Sequence, residues 1–222
     1  MDNKILTLII PAKNESESLP IVLNSLKKFN YNIIVSLCAD DHATINSINN
    51  FDNIQILKQS TKGYGNALIE GVNACNTKYF CIFNADGSFN ENDLPKMLEL
   101  NRQNDFVFTS RYSFGGGSDD DTIVTYLGNQ FFSLFGKIFF SLNISDILYT
   151  YVMGRTESFK KLNITNKDFR FCVEFPIKMK KKKMKYFSIS SHEKKRIAGI
   201  KKVNPFKDGF LILLEMIRLF FK

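Results

Sequence analysis

Tryptophan is absent from the 222 residues, histidine occurs twice and cysteine four times. Cys38, Cys75, Cys81 and Cys172 form no CxxC pair, and His42 and His192 stand far apart. Neither a zinc site nor a disulfide framework is therefore expected, and the cysteines read as reduced core residues. A long hydrophobic run is also missing. The most apolar stretch, residues 210–222, is too short to span a bilayer, which takes roughly 20 apolar residues. Met1, Asp2, Asn3 and Lys4 lead into a short apolar run closed by Pro11. That run is too short and wrongly flanked for a secretory signal, so a cytoplasmic location is expected. What is present, 44% hydrophobic and 23% charged residues, is the make-up of a folded globular chain of one large domain.

The formal charge is +8, and much of the excess comes late, in Lys178, Lys180 to Lys183, Lys185, Lys194, Lys195, Arg196, Lys201 and Lys202. Such clustering suits an anionic partner, either the phosphates of a substrate or an anionic membrane surface. No helix-turn-helix spacing, zinc finger or aromatic RNA-binding signature accompanies it, so nucleic acid is not the expected partner.

Apolar runs at residues 5–10, 33–37, 54–57, 79–83 and 106–109 alternate with helix-compatible stretches at 19–26, 44–49, 66–74 and 93–100. Runs apolar on both faces, alternating with helices, predict an α/β fold with a mostly parallel central sheet flanked by helices. A further strand is expected at 186–190. In such sheets ligands gather beyond the carboxyl ends of the strands. Four polar clusters fall there: Ala12-Lys13-Asn14-Glu15, Asp40-Asp41, Lys62-Gly63-Tyr64-Gly65 and Asn84-Ala85-Asp86-Gly87. Residues 113–121, rich in Gly and Asp, predict a mobile loop.

Glu15 or Asp41 can accept hydrogen bonds from ribose hydroxyls or base N–H groups, or Asn14 and Glu15 can simply cap the following helix. Gly63 and Gly65 allow close backbone approach to a ligand, with Lys62 as a point charge for phosphate; they can equally mark a turn. Asp86 reads as a metal ligand or as a turn residue before Gly87.

Taken in order, IIPAKNE (9–15), the Asp40-Asp41 pair, KGYGNALIEG (62–71), FNADGSF (83–89), TSRY (109–112), LGN (127–129) and RIAG (196–199) resemble the family 2 glycosyltransferases over most of the chain. The likeness is greatest to the branch containing dolichol-phosphate mannose synthase and bacterial polysaccharide-cluster relatives. The resemblance implies the GT-A fold, a Rossmann-like nucleotide-diphospho-sugar transferase architecture. It implies transfer, with inversion, from a nucleotide-diphosphate sugar to a polyprenyl phosphate or glycan acceptor, in cell-surface polysaccharide or glycolipid synthesis. The donor site it implies comprises Pro11, Ala12, Glu15, Asp41, Lys62, Gly63, Gly65, Asn84 and Ala85. The catalytic set is Asp86, Arg111, Asp146 and Arg196, with Asp86 holding Mg²⁺ or Mn²⁺.

Two departures stand out. Asn84 occupies the first position of the family's Asp-x-Asp, which weakens metal affinity, and Thr125 stands where an arginine is usual. A Glu-Asp base motif is also missing. Two rival functions follow: a degenerate, non-catalytic nucleotide-sugar binder, or a nucleotidyltransferase of related fold. The latter would need a Gly-rich basic loop after the first strand, and Ala12-Lys13-Asn14-Glu15 has no glycine.

Residues 1–209 are read as the transferase domain and 210–222 as an apolar C-terminal helix, with Glu215, Arg218 and Lys222 on one narrow face. That helix, and the Phe-rich segment 127–142, can pack in the domain, pair with a partner or lie in a membrane interface, peripheral on the inner face of the cell membrane.

Overall fold

Leu6, Leu8 and Ile10 of strand β1 (Leu6–Ala12) enter one apolar cluster, while Ile9 between them enters another. A strand buried on alternate sides needs a sheet covered on both faces. The computed structural model describes residues 5–222, so Met1 to Lys4 of the predicted N-terminal run lie outside the described residues. Its central sheet has seven strands in the order β3-β2-β1-β4-β7-β5-β8. The others are β2 (Asn32–Leu37), β3 (Ile54–Lys58), β4 (Tyr79–Ile82), β5 (Phe106–Ser110), β7 (Val152–Arg155) and β8 (Tyr186–Ser190). All neighbours pair in parallel except β7, which runs antiparallel between β4 and β5. A two-stranded ladder, β6 (Gly117–Ser118) with β9 (His192–Glu193), stands apart.

Helices α1 (Leu19–Leu26) and α4 (Leu94–Asn101) cover one face, contributing Leu19, Val22, Leu23, Leu94 and Met97 to its core. The other face is covered by α3 (Tyr64–Ala74), α5 (Ile123–Phe140), α6 (Thr156–Lys160), α7 (Phe171–Lys181) and α8 (Pro205–Phe220). A short α2 (His42–Ser47) follows β2. The final helix is held firmly: Ile212, Met216 and Leu219 are buried in the second core.

Several boundaries differ from the sequence reading, each for a local reason. Helix α5 starts four residues earlier than expected, because Thr122 and Thr125 form a reciprocal capping box. Likewise α8 starts at Pro205, with the Asn204 side chain accepting from the N–H groups of Phe206 and Lys207. Strand β7 carries Gly154 at its centre, a residue poor in strand propensity. A side chain there would sit 2.5 Å from the Phe106 ring, so the glycine serves sheet packing.

Strand β1 has β2 on one side and β4 on the other. The connections diverge here, opening the crevice in which open α/β sheets bind ligands, beyond the carboxyl ends of the strands.

Candidate active site

Both loops that flank this crevice are built around carboxylates. After β1, Asn14 takes the left-handed conformation (φ 53°) and its N–H donates to Asp41 at 2.7 Å. The Glu15 N–H donates to the Thr44 hydroxyl at 2.9 Å, and the Glu15 carboxylate accepts from Ser18 at 2.7 Å. After β4, the Asp86 carboxylate accepts from the Ser88 N–H at 3.0 Å. Pro11 and Ala12 form the end of β1, and Ala85, within the second loop, is buried.

A basic strap, residues 194–204, closes over both loops. The Lys194 N–H donates to Ser88 O and the Ile197 N–H to Asp86 O, each at 2.8 Å. Gly87 has φ 79°, and a side chain there would stand 2.4 Å from the Ile197 side chain, so only glycine meets both demands. Arg196 lies 3.6 Å from Asp86 and 2.8 Å from Asp120. Lys201 lies 3.4 Å from Asp120, and Lys202 lies 3.4 Å from Glu15. Three carboxylates from three separate loops thus meet three cations of one segment. Burial opposes the charge on Arg196, but Asp120, Asp86 and Glu15 outweigh it and raise its pKa. Burial likewise works against the Asp120 carboxylate, and Arg196 and Lys201 reverse this and lower its pKa.

Arg111 and Asp146 lie together in a second network below this cluster. Asp146 is fully buried and accepts from Arg111 Nε at 2.8 Å, Nη2 at 2.9 Å and N at 3.0 Å, and from the Asn129 side chain. Arg111 Nη1 reaches Glu193 at 3.0 Å, and its guanidinium lies 4.5 Å from the centre of the Tyr149 ring. Glu193 accepts in turn from the Ser118 hydroxyl. Burial penalises the Arg111 charge, yet the bonds it donates to Asp146 and the charges of Asp146 and Glu193 carry its pKa well above the usual value. Arg111 thus links the buried Asp146 to Glu193 of β9, which in turn holds Ser118 of β6, two residues before Asp120.

The expectation of a mobile loop at 113–121 is therefore corrected. The segment is pinned by the β6–β9 pairing, by the Asp119 N–H to Glu193 O bond of 2.9 Å and by the ion pairs of Asp120. Gly116 and Gly117 serve close packing: a Cβ on Gly116 would stand 2.7 Å from two carbonyl oxygens, and one on Gly117 2.6 Å from the His192 ring.

Other expected donor residues are placed differently. Both oxygens of Asp41 are used internally, one by Asn14 N–H and one by Thr44 N–H, where Asp41 caps α2. Lys62 pairs with Asp40 at 2.6 Å on the exposed surface. The space beside Gly63 and Gly65 is filled by the chain itself, since a Cβ would stand 2.1 Å from Lys167 O and 2.4 Å from Asn166 O respectively. Asp120 and Glu193 were not foreseen as site residues, and Lys201 and Lys202 were expected only as part of a basic cluster suited to phosphates or a membrane surface. The run Asp119-Asp120-Asp121 and the lysines after Gly199 were visible, but nothing in one dimension paired them.

Among the described residues no group of three or more His, Cys, Asp or Glu side chains could hold a metal by itself. Asp86 supplies one carboxylate, and Asn84 turns its Nδ2 toward Ser88 at 3.5 Å. This donor set fits a hard divalent cation only in company with ligand phosphates, the arrangement Mg²⁺ favours.

The signature of glycosyl transferase family 2 matches residues 7–163. An uncharacterised glycosyltransferase of Mycobacterium tuberculosis is 32% identical over 118 residues, covering 52% of this chain and 53% of the relative. The chain thus spans about half the length of that relative. The undecaprenyl-phosphate mannosyltransferase of Micrococcus luteus is 29% identical over 189 residues, 77% of this chain and 75% of the relative. Among solved structures, the glucosyl-3-phosphoglycerate synthase of M. tuberculosis in complex with Mn²⁺, UDP and phosphoglyceric acid superposes with a TM-score of 0.72. It is 12% identical, and the match covers 98% of this chain and 78% of that one. The mannosyl-3-phosphoglycerate synthase of Rubrobacter xylanophilus superposes at 0.73, with 13% identity over 97% of this chain and 72% of that one. At such identity the likeness carries the fold, the GT-A architecture.

Proposed function

The chain belongs to glycosyl transferase family 2, and on that premise we propose that it moves a sugar, with inversion, from a nucleotide-diphosphate sugar to a polyprenyl-phosphate acceptor. The observation that carries this reading is the convergence of Glu15, Asp86 and Asp120 on Arg196, Lys201 and Lys202 at the switch point between β1 and β4. A donor diphosphate entering there can take over the strap's cations while Asp86 turns to a cation. The Micrococcus relative supports a lipid-linked acceptor, and a glycan acceptor is the alternative.

In the transfer, an acceptor oxygen forms a bond to the anomeric carbon while the bond from that carbon to the diphosphate breaks. The electron pair leaves on the diphosphate oxygen. Arg196, released from Asp86, is placed to stabilise that developing charge. An acceptor that is already a phosphate anion needs no general base, consistent with the absence of a Glu-Asp base motif. Mg²⁺ or Mn²⁺, held by Asp86 with Asn84 and the donor phosphates, would add Lewis-acid neutralisation of the leaving group. Arg111 and Asp146 act as positioning residues for Asp120 and Arg196.

Thermal-shift titration with UDP, GDP, dTDP and CMP, with and without Mn²⁺, tests the donor class. One nucleoside diphosphate is expected to stabilise the chain by about 2.7 kcal/mol at 100 times its Kd. Asp86→Ala is expected to abolish transfer and change the melting temperature of the free protein little, because its side chain holds a local turn and a long 3.6 Å pairing with Arg196, which keeps its closer partner Asp120. Undiminished turnover in that variant would remove Asp86 from the site.

A further inference from the structure

Helices α5 and α8 each bury one face and leave the other uncovered. On α5, Ile123, Leu127, Phe131, Leu134 and Ile138 are 50–79% exposed. Phe206, Phe210, Leu214, Ile217 and Phe221, along α8 and its C-cap, are 40–83% exposed. The spacing is the same in both sets, every third or fourth residue, which draws one stripe along each helix. The helices lie side by side and run the same way, Gly209 opposite the Phe132 ring and Phe220 against Phe139 and Phe140. Phe139 and Phe220, both about half exposed, meet at 5.5 Å and join the two stripes. Soluble monomers rarely leave a continuous apolar surface of this extent open.

Beyond Asp119, Asp120 and Asp121 at the site end of α5, the free charge around the surface is basic. Helix α5 contains no acid. The two acids of α8 are engaged, Asp208 with the Asn204 N–H and the buried Glu215 with Arg218. Lys207 stands at one end of α8; at the other, Lys181 donates to Leu219 O beside the exposed Lys182, Lys183 and Lys222. Apolar stripes edged with lysine match a bilayer rich in anionic headgroups. A second copy fits worse, because two such faces would bring lysines against lysines. Both stripes also begin at the site: the segment bearing Asp120 runs into α5, and the strap over Asp86 and Glu15 runs into α8.

We propose that the paired outer faces of α5 and α8 dock the protein flat on an anionic lipid bilayer, setting the mouth of the site at the headgroups where the phosphate of a lipid-linked acceptor lies. The delivery of acceptor rests on the glycosyl-transfer reading; the docking rests on the surface itself. No helix among the described residues is long and apolar enough to cross a membrane, so the contact is peripheral.

The test is co-sedimentation of the 222-residue chain with vesicles of phosphatidylcholine alone or mixed with phosphatidylglycerol, at low and high salt. The chain is expected to pellet with the anionic vesicles and to be released by salt. Combining Phe131→Gln with Phe210→Gln is expected to weaken binding about tenfold or more. Because the chain has no tryptophan, Phe210→Trp adds a single reporter whose emission should shift to the blue on anionic vesicles. Equal partitioning of parent and double variant, or an unshifted spectrum, overturns the proposal. So does concentration-dependent dimerisation without vesicle binding, which would assign the face to a second copy. Nucleotide thermal shifts on the same samples keep the two readings apart. Stabilisation by nucleotide without vesicle binding defeats the docking alone, and vesicle binding without any nucleotide effect defeats the transfer reading alone.

Discussion

Arg111 and Asp146, expected in the catalytic set, also form a buried ion pair. Their resemblance to residues near phosphate in the family points to chemistry, yet each is the other's main partner, Asp146 fully buried and Arg111 nearly so. Removing one member of a buried charge pair leaves the other uncompensated. Asp146→Ala is therefore expected to lower the unfolding free energy by about 3–5 kcal/mol, read as a fall in the urea midpoint, with Asp146→Asn losing less. An Asp146→Ala protein as stable as the parent but inactive would return this residue to the reaction itself. Gly63 and Gly65 likewise meet a structural demand. The glycine pattern was legible, but the group that needs the space is the chain's own 166–167 backbone.

At the scale of elements, α7 holds that backbone in place. Glu174, on its first turn and fully buried, accepts from the N–H groups of Thr165 and Asn166 at 3.1 and 2.7 Å and pairs with Lys178 at 2.6 Å. Burial pushes its pKa up, but Lys178, the Asn166 N–H and the Thr165 hydroxyl prevail, and its pKa is held below the ordinary carboxylate value. A carboxylate with a depressed folded-state pKa stabilises above its unfolded value and loses that contribution as pH falls through the folded one. Stability should thus drop on acidification below about pH 4.5. Glu174→Ala should cost about 3 kcal/mol at neutral pH and flatten the acid limb of the stability profile. An unchanged acid limb in urea titrations of that variant would place the acid sensitivity elsewhere. The segment around α7 was not legible as a helix because Pro176 interrupts it, and β7 was missed because four residues centred on glycine give little signal.

For the molecule as a whole, β7 comes late in sequence yet lies between β4 and β5, and α8 seals a core begun by β1. The two halves of the chain cannot part without breaking the one sheet. A single cooperative unfolding transition is expected, with near- and far-ultraviolet circular dichroism coincident across a denaturant titration. Separate transitions would mean that the C-terminal helices form a unit of their own.

The sequence by itself determined the α/β class, five of the seven strands as an ordered series before residue 110, the later β8, and the loops Glu15 and Asp86 occupy. These follow from periodicity and from the placement of polar groups after apolar runs, which are local properties of the chain. Tertiary structure alone decided the reversed β7, the pairing of Asp120 with Arg196 and Lys201, and the hydrogen-bond partners of Asp41 and Asp146. It also decided that two amphipathic helices far apart in sequence lie side by side with their apolar faces outward. Ion pairs between residues 76 positions apart leave no periodic trace, because Coulombic attraction depends on distance in space and is indifferent to distance along the chain.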